Sequence, residues 1–313
     1  MNTSEKINRI EKLLPALYER LRRCDICPRE CHRNRIAGEK GYCGTDASVT
    51  VYTSFCHRGE ELPISGRNGS GTLFFSGCSL RCIFCQNHTF SHTITGKRTD
   101  KNDLADLMLS LQRKGAHNIN LVTPTHVLPQ ILQGLQCAYH RGLSIPIVYN
   151  TSGYEKKEIV ALLEGIVDIY LADIKYLSAD LAKNCSNAED YPRRCREAVQ
   201  QMAQQVSTVY EKDLLKQGLI IRHLVLPNHI DNSKEVLSWV KKNLPGALVS
   251  VMFQYRPYYN AHQFPLIDRP VNYREYEQIN ELVEQLDLPG WVQEFDPPDE
   301  LAGVYFTPDN KTV

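Results

Sequence analysis

Long apolar runs and net charge are the two features that this sequence of 313 residues lacks. No run approaches the roughly 20 apolar residues that a membrane-spanning helix needs, so we expect no membrane partner. The 36 Lys and Arg residues balance the 36 Asp and Glu residues, which gives a formal net charge of +0. Without net charge the chain has no overall attraction to nucleic acid, so we expect no nucleic-acid partner either.

The first residues, MNTSEKINRIEKLL, also lack the continuous apolar stretch of a secretory signal peptide, so the expected location is cytoplasmic. Low-complexity segments and repeats of a fixed period are missing too, which argues against a repeat architecture. The length suits one large α/β domain or two ordinary domains.

Cysteine, in contrast, is abundant, with 11 residues. In a reducing compartment, clustered thiols usually indicate metal binding or catalysis. Cys78, Cys82 and Cys85 stand in FFSGCSLRCIFCQNH with the spacing C-x3-C-x2-C. Three thiolates can bind three irons of a [4Fe–4S] cluster and leave the fourth iron open to another ligand. The alternatives are a zinc site with a distant fourth ligand and thiols that merely pack in the core.

Short apolar runs alternate with amphipathic stretches over most of the chain, which predicts an α/β fold. The predicted buried strands are 72–76, 119–122, 145–149, 168–172, 219–225 and 248–253. The predicted helices are 5–22, 102–114, 127–141, 154–164, 188–206, 232–243 and 273–286. Because each parallel crossover needs a helix, this alternation indicates a parallel sheet, either doubly wound and open or a partial barrel.

The loops that follow the predicted strands are the expected place for chemistry, since active sites of parallel βα proteins lie at the carboxyl ends of the strands. In chain order these loops read GCSLRCIFC, TPTH, NTSGY, DIKY, LPN and QYRP. All are polar or contain turn residues, and the three clustered cysteines lie on the first.

The C-x3-C-x2-C motif on this first loop strongly resembles that of the radical S-adenosylmethionine (SAM) superfamily. The resemblance implies a [4Fe–4S] cluster whose open iron binds SAM. It further implies cleavage of SAM to a 5′-deoxyadenosyl radical, which abstracts hydrogen from a substrate. The implied fold is a partial (βα)6 TIM-like barrel of parallel strands with an N-terminal helix and a Cys-rich extension. An electron donor such as flavodoxin or ferredoxin is an implied partner.

Several segments narrow the resemblance to the radical SAM proteins related to pyruvate formate-lyase-activating enzyme, over about 50–290: GTLFFSGCSLRCIFCQN, LVTPTHVLPQIL, DIYLADIKY and GLIIRHLVLPN. The segment CDICPRECHRNRIAGEKGYCG points to the PflX-like subgroup, which has a leading Cys-rich segment. One implied activity is therefore activation of a glycyl radical enzyme. Radical modification of another peptide or a small molecule is the alternative. A hypothesis of a different class is an Fe–S or zinc module for electron transfer or binding, without SAM chemistry.

The SAM contacts that the resemblance implies are Phe84, Asn87, Thr123, Thr125, His126, Asn150, Thr151, Asp173, Arg222 and Arg256. No residue is assigned a catalytic role beyond these contacts. Thr125 and His126 belong to TPTH, which replaces the family's S-G-G-E. Asn150 replaces an Asp and Arg256 replaces a His. The loss of a carboxylate at Asn150 leaves open whether a monovalent cation binds near SAM.

A second set of cysteines has the spacing C-x2-C-x3-C-x11-C and comprises Cys24, Cys27, Cys31 and Cys43. Four thiols within twenty residues are compatible with a closed metal site that holds zinc or a second Fe–S cluster. The alternative is a set of reduced thiols without a ligand. We expect three parts in the chain: the helix and Cys-rich metal-binding extension at 1–70, the radical SAM core at 71–290 and a C-terminal tail at 291–313.

Overall fold

A mostly parallel sheet organises the residues that the structure describes, 1–298 and 303–307 of a computed structural model. The strands are β1 Val49–His57, β2 Ser70–Phe75, β3 Lys97–Thr99, β4 Ile119–Val122, β5 Ile147–Thr151, β6 Ile169–Asp173, β7 Val209–Glu211, β8 Leu214–Leu224, β9 Leu248–Met252 and β10 Gly290–Val292. The helices are α1 Thr3–Glu19, α2 Leu62–Ser65, α3 His88–Ser91, α4 Lys101–Arg113, α5 Leu128–His140, α6 Lys157–Leu162, α7 Ala179–Ser186, α8 Tyr191–Gln205, α9 Ile230–Asn243 and α10 Tyr273–Leu286.

The order of the strands across the sheet is β10-β9-β8-β6-β5-β4-β2-β1-β3, with β7 paired to β8. From β2 to β10 all neighbours along this order are parallel. The strands β1, β3 and β7 add antiparallel pairs. Among the described strands, β3 and β10 form the two ends and do not pair with each other, so the barrel is open. The predicted α/β class and partial barrel are confirmed, and the six predicted strands are β2, β4, β5, β6, β8 and β9.

Two apolar layers hold this architecture together. Between the sheet and the surrounding helices lies the main core, which α4 and α5 enter with one buried face each. The interior of the barrel has a smaller apolar floor. Its members are Ile64, Val148, Ile169, Leu171, Leu215 and Ile220. Because the floor fills one end of the barrel, the space at the carboxyl ends of the strands remains for a site.

Residues 24–70 show little apolar periodicity, which predicts a loop, but this prediction is wrong for the second half, which contains the nine-residue strand β1. Its sequence VTVYTSFCH is rich in β-branched and aromatic residues, but nearly all of its side chains are buried, so it shows no clear alternation of polar and apolar residues. Antiparallel pairing with β2 decides its conformation. The predicted tail begins within β10 and includes a short 3-10 helix at Gly303–Tyr305. Positions 299–302 and 308–313 of that tail lie outside the described residues.

No helix in the described part of the chain is both long and apolar enough to cross a membrane. The longest helix, α1, has 17 residues and carries charged side chains along its length. It packs against α5, and Lys6 Nζ lies 2.7 Å from both carboxylate oxygens of Asp168 at the start of β6. This ion pair attaches the N-terminal helix to the barrel.

Candidate functional site

A cavity of about 170 Å³ opens at the carboxyl ends of the parallel strands. The thiols of Cys78, Cys82 and Cys85 line it on one side. The predicted SAM contacts that also line it are Phe84, Asn87, Thr123, Asn150, Thr151, Asp173, Arg222 and Arg256. The structure therefore brings together side chains from loops that are far apart in the sequence.

The cysteine loop leaves β2 through a tight turn at Gly77. This glycine has φ +88°, and a Cβ at this position would lie 2.6 Å from the carbonyl oxygen of Cys43. A side chain here would both strain the backbone and collide with the Cys-rich segment. Glycine thus allows the loop to pack directly against that segment.

Each of the three thiols has a hydrogen-bonding neighbour. The amide of Leu80 donates to Cys78 Sγ at 3.3 Å, and Ser186 Oγ donates to Cys82 Sγ at 3.0 Å. Ser91 Oγ lies 3.2 Å from Cys85 Sγ. Hydrogen bonds to sulfur are one means by which proteins tune the potential of an iron–sulfur cluster. Burial raises the pKa of Cys85 to about 12, so iron would have to displace the proton.

Three thiols on one cavity fit the donor set of a cubane cluster. Cys78 and Cys82 lie close enough to Cys85 to raise its pKa electrostatically. Yet, within residues 1–298 and 303–307, no three His, Cys, Asp or Glu side chains converge tightly enough to hold a single metal ion. In a cubane each thiolate binds a different iron, so the thiolates surround the cluster rather than meeting at one point. Three cysteines that share a cavity without converging match that requirement.

A charged network faces the cysteines from the far wall of the cavity. Arg222 Nε donates to Asp173 Oδ1 at 2.8 Å, and Arg222 Nη2 donates to Asn150 Oδ1 at 2.7 Å. Lys175 Nζ donates to Asp173 Oδ2 at 2.6 Å. Burial alone would raise the pKa of Asp173, but Arg222 and Lys175 hold it below its ordinary value. The carboxylate is therefore ionised, and it fixes the direction of the guanidinium.

Strand alternation explains why these residues meet. On three neighbouring strands, a residue of the apolar floor is followed two positions later by a polar residue on the same face. These pairs are Val148 and Asn150 on β5, Leu171 and Asp173 on β6, and Ile220 and Arg222 on β8. Parallel register then places Asp173 opposite Arg222.

Two of the predicted SAM contacts, Thr125 and His126, do not line the cavity. The TPTH segment turns into a 3-10 helix at Thr125–Val127, which directs both side chains into the protein. Thr125 Oγ1 donates to Glu155 Oε1 at 2.5 Å, and His126 Nε2 donates to the carbonyl oxygen of Ser76 at 2.8 Å. Burial lowers the pKa of His126 to about 4, so the ring is neutral at physiological pH. Both residues support the loops rather than face the cavity.

Arg256 lies on the cavity wall but is already engaged. Its guanidinium donates to Asp296 Oδ1 at 2.7 Å and to the carbonyl oxygen of Pro297 at 3.1 Å. It thereby fastens the segment after β10 to the loop after β9. Phe84, on the cysteine loop, packs edge-on against Tyr255, with ring centroids 5.6 Å apart.

A second cavity of about 120 Å³ adjoins the first and shares Asn87, Asn150 and Arg222 with it. Glu60 reaches this cavity, and its Oε2 lies 3.6 Å from Arg222 Nη1. Glu60 is not among the site residues predicted from the sequence. Burial raises the pKa of Glu60 and raises that of its neighbour Glu61 to about 7. The other lining residues are His57, Gly59, Phe74, Gln86, Val122, Gln254, Pro298 and Phe306.

The sequence signal for Glu60 is a pair of adjacent glutamates in RGEELP. This segment lacks periodicity and is predicted as a loop, where acidic side chains are ordinary. Their burial follows from the folding of α2 into the end of the barrel beside β8. Only the tertiary structure shows that this segment lies inside the barrel.

The four N-terminal cysteines lie outside both cavities. Cys24, Cys27 and Cys43 are buried, and Cys31 is half-buried. Their sulfur atoms, like those of the cysteine loop, do not converge as a ready site for a single ion in the described residues.

The profile of the radical SAM superfamily matches residues 72–240. Uncharacterized protein MJ0674 of Methanocaldococcus jannaschii is 34% identical over 277 residues, which cover 85% of this chain and 75% of that protein. Uncharacterized protein MJ0808 of the same organism is 23% identical over 232 residues, which cover 69% of this chain and 64% of that protein. The chain therefore spans slightly less than two thirds of the second relative.

Among solved structures, SuiB of Streptococcus suis bound to S-adenosylmethionine has a TM-score of 0.49 and 13% identity over 69% of this chain and 48% of SuiB. SuiB bound to its precursor peptide SuiA also has a TM-score of 0.49 and 13% identity, and the match covers 69% of this chain and 46% of SuiB. Methylornithine synthase (PylB) has a TM-score of 0.47 and 14% identity over 93% of this chain and 75% of the synthase. Structural likeness at this level says nothing about the substrate.

The superfamily match covers more than half of the chain, and it includes the cysteine loop and the strands from β4 to β8. The relative MJ0674 is similar over most of its own length. This chain belongs to the radical SAM superfamily.

Proposed function

We propose that this protein binds SAM and its cluster in the larger cavity and abstracts hydrogen from a substrate group that occupies the adjoining one. The observation that carries the proposal is the convergence of Cys78, Cys82 and Cys85 with the Arg222–Asp173 pair on one cavity. When bound, the cluster supplies the electron that cleaves SAM. The chain's own side chains have the other tasks, which are to bind and orient SAM and to shield the cavity from water.

Arg222 is the best candidate to receive the carboxylate of SAM. Its guanidinium is charged under all conditions, and planar geometry suits a carboxylate. Asp173 and Asn150 fix its orientation, while Lys175 compensates the remaining negative charge of Asp173. The buried position of the pair strengthens each of these interactions, because the surrounding dielectric is low.

Apolar side chains shield the cavity from water. Phe84 is the proposed neighbour of the adenine ring, and Phe75, Leu80, Phe90 and Leu224 complete the apolar lining. A radical that forms in such an enclosure meets fewer unwanted reactants.

The substrate is proposed to enter the smaller cavity, where Glu60, His57 and Gln254 offer polar contacts. Activation of a glycyl radical enzyme is the narrower proposal, and the retained Asp173-Ile174-Lys175 segment supports it through its resemblance to the activating enzymes. The changes at TPTH, Asn150 and Arg256 favour radical modification of another peptide or a small molecule.

Formation of 5′-deoxyadenosine tests the proposed chemistry. Anaerobic protein reconstituted with iron and sulfide should release this product from SAM when dithionite is added, and Cys82→Ala should abolish release because one cluster ligand is lost. The matched control is Cys137→Ala, since Cys137 is a half-buried thiol on α5 away from the cavity. A wild-type protein with an intact cluster and no product would contradict the proposal and favour an electron-transfer or binding module.

Glycyl radical activation has its own test. The reconstituted protein, SAM and a reduced flavodoxin are incubated with candidate glycyl radical enzymes from the same genome, and electron paramagnetic resonance is recorded. A doublet on the partner that disappears when its acceptor glycine is replaced by alanine is the expected result. Consistent absence of the doublet while 5′-deoxyadenosine forms would exclude activation of those candidates but leave SAM cleavage intact.

A further inference from the structure

Four thiols in the Cys-rich segment lie close together and play no part in the proposed SAM chemistry. Cys24 and Cys31 share a hydrogen bond, and Cys27 lies within electrostatic reach of Cys31 and Cys43. The exposed fractions of Cys24, Cys27 and Cys43 are 3%, 7% and 8%. Four cysteines brought together from a stretch with no regular strand or α-helix need a reason to remain in the interior.

Gly41 supplies the first sign, because it brings two of the four thiols to one place. A Cβ at this position would lie 3.3 Å from Cys31 Sγ and 3.4 Å from Cys43 Sγ. The backbone of Gly41 is not left-handed, so what glycine provides here is room beside the two sulfur atoms rather than a special conformation. The turn that contains it is closed by the amide of Gly44, which donates to the Gly41 carbonyl oxygen at 2.9 Å.

Arg35 supplies an independent sign. Its side chain is among the largest that are fully buried, with 1% exposed, and within the described residues it forms no ion pair with a carboxylate. Its guanidinium donates to the carbonyl oxygen of Asp46 at 2.7 Å and lies 3.6 Å from Cys24 Sγ. The Asp46 carboxylate lies 3.8 Å from Arg98, and it is within electrostatic range of Arg35 without contacting it. Thiolate ligands beside Arg35 would bring further negative charge to this buried cation.

We propose that Cys24, Cys27, Cys31 and Cys43 form a closed metal centre with four thiolate ligands, and that Arg35 balances part of its negative charge. The occupant is a thiophilic centre, either zinc or a [4Fe–4S] cluster, since both accept four thiolates. Metal binding would draw the four sulfur atoms together, replace the hydrogen bond between Cys24 and Cys31 and release the thiol protons. With all four positions taken by protein, such a centre has no site for SAM.

The centre lies directly behind the loop of the SAM cluster. Arg29, two residues after Cys27, donates to the carbonyl oxygens of Ser79 at 2.7 Å and Leu80 at 3.1 Å. The ring of Tyr42 packs 4.1 Å from the same guanidinium. A metal that fixes the turn around Tyr42 would therefore also fix Arg29 and, through it, the loop that contains Cys78. The proposed role is to hold this loop in place.

Metal analysis separates this proposal from the SAM chemistry. The full-length variant Cys78→Ser/Cys82→Ser/Cys85→Ser lacks the ligands of the SAM cluster but keeps the four N-terminal cysteines. Purified without oxygen, it should retain about one zinc or about four irons per chain, with only sulfur in the first coordination shell by X-ray absorption. A variant that holds neither metal, or whose metal has nitrogen or oxygen ligands, would overturn the proposal, whatever the wild-type protein does with SAM.

The reciprocal variant is Cys27→Ser/Cys43→Ser, and Cys137→Ser is its matched control. The double variant should lose the zinc, or about four irons beyond those of the SAM cluster, whereas the Cys137→Ser control keeps them. Unchanged metal content in a folded double variant would also overturn the proposal. If that variant does not fold, the triple variant still decides the question, because its N-terminal segment is intact.

Discussion

Glu155 organises the wall behind the cavity, although its sequence context, GYEKKE, gives no sign of it. Thr125 and Thr151 both donate hydroxyl hydrogen bonds to its Oε1 at 2.5 Å. The carboxyl is completely buried, and its Oε2 has no hydrogen-bond partner among the described residues. Two threonines predicted as SAM contacts are thus held by one residue that lies behind them.

The buried Glu155 makes stability depend on pH. Burial raises its pKa from 4.5 to about 7, so the folded state binds this proton more tightly than the unfolded state does. Stability is therefore lost as the pH rises from about 4.5 to about 7, by at most about 3 kcal/mol at 1.36 kcal/mol per pKa unit. Glu155→Gln should raise the melting temperature at pH 8 and have much less effect at pH 5.

The comparison uses thermal unfolding at both pH values. Glu164→Gln is the control, because the Glu164 side chain is 64% exposed and the same substitution there removes no buried carboxyl. An equal effect of Glu155→Gln at both pH values would show that folding does not raise the pKa of Glu155.

At the scale of elements, α4 and α5 show how closely neighbouring helices pack on this sheet. Gly134 of α5 faces Leu104 of α4, and a Cβ on Gly134 would lie 2.7 Å from Leu104 Cβ. Since neither Cβ can move by a change of rotamer, only a shift of the helices would relieve the contact. The pattern of apolar residues predicts both helices but not the distance between them.

Gly134→Ala should therefore destabilise the protein, although alanine is the better helix former. The gain in helix propensity is about 1 kcal/mol, whereas overpacking a core costs about 1–3 kcal/mol. We expect a net loss of about 1 kcal/mol in the free energy of unfolding, measured with denaturant. Gly246→Ala is the control, since nothing lies within 4 Å of its would-be Cβ. A stabilised Gly134→Ala variant would contradict the tight contact.

At the same scale, TPTH and β1 mark the limit of pattern-based interpretation. The resemblance predicts SAM contacts at TPTH from the position of this loop, and a loop position does not fix where a side chain points. Once Thr125–Val127 forms a 3-10 helix, Thr125 and His126 turn into the interior. The strand β1 is not evident from the sequence for a related reason, because its partner β2 decides its pairing and its burial.

On the scale of the whole molecule, the Cys-rich segment and the barrel share extensive contacts. Arg29 binds carbonyl oxygens of the cysteine loop, and Lys156, after β5, lies 2.8 Å from Glu30. The strand β1 continues the sheet of the core. The division at residues 70 and 290 stays a prediction about function, with metal binding assigned to 1–70 and SAM chemistry to 71–290.

The sequence by itself determined the class of fold and the position of the cysteine loop. Both depend on local features: the period of the apolar residues in strands and helices, and the spacing of three cysteines within eight positions. Such features can be recognised without knowing which residues are neighbours in space. The sequence also predicts that Asp173 and Arg222 have partners, because a charge on a buried strand needs one.

Only the tertiary structure decided which side chains share a cavity. Glu60 enters the barrel because α2 closes its end, and Glu155 lies behind the wall because two loops converge on it. Arg35 is recognised as a buried cation beside the thiol of Cys24 only when the whole environment is known. These facts depend on contacts between residues that are distant in the sequence, and such contacts cannot be read from the residue pattern of a single chain.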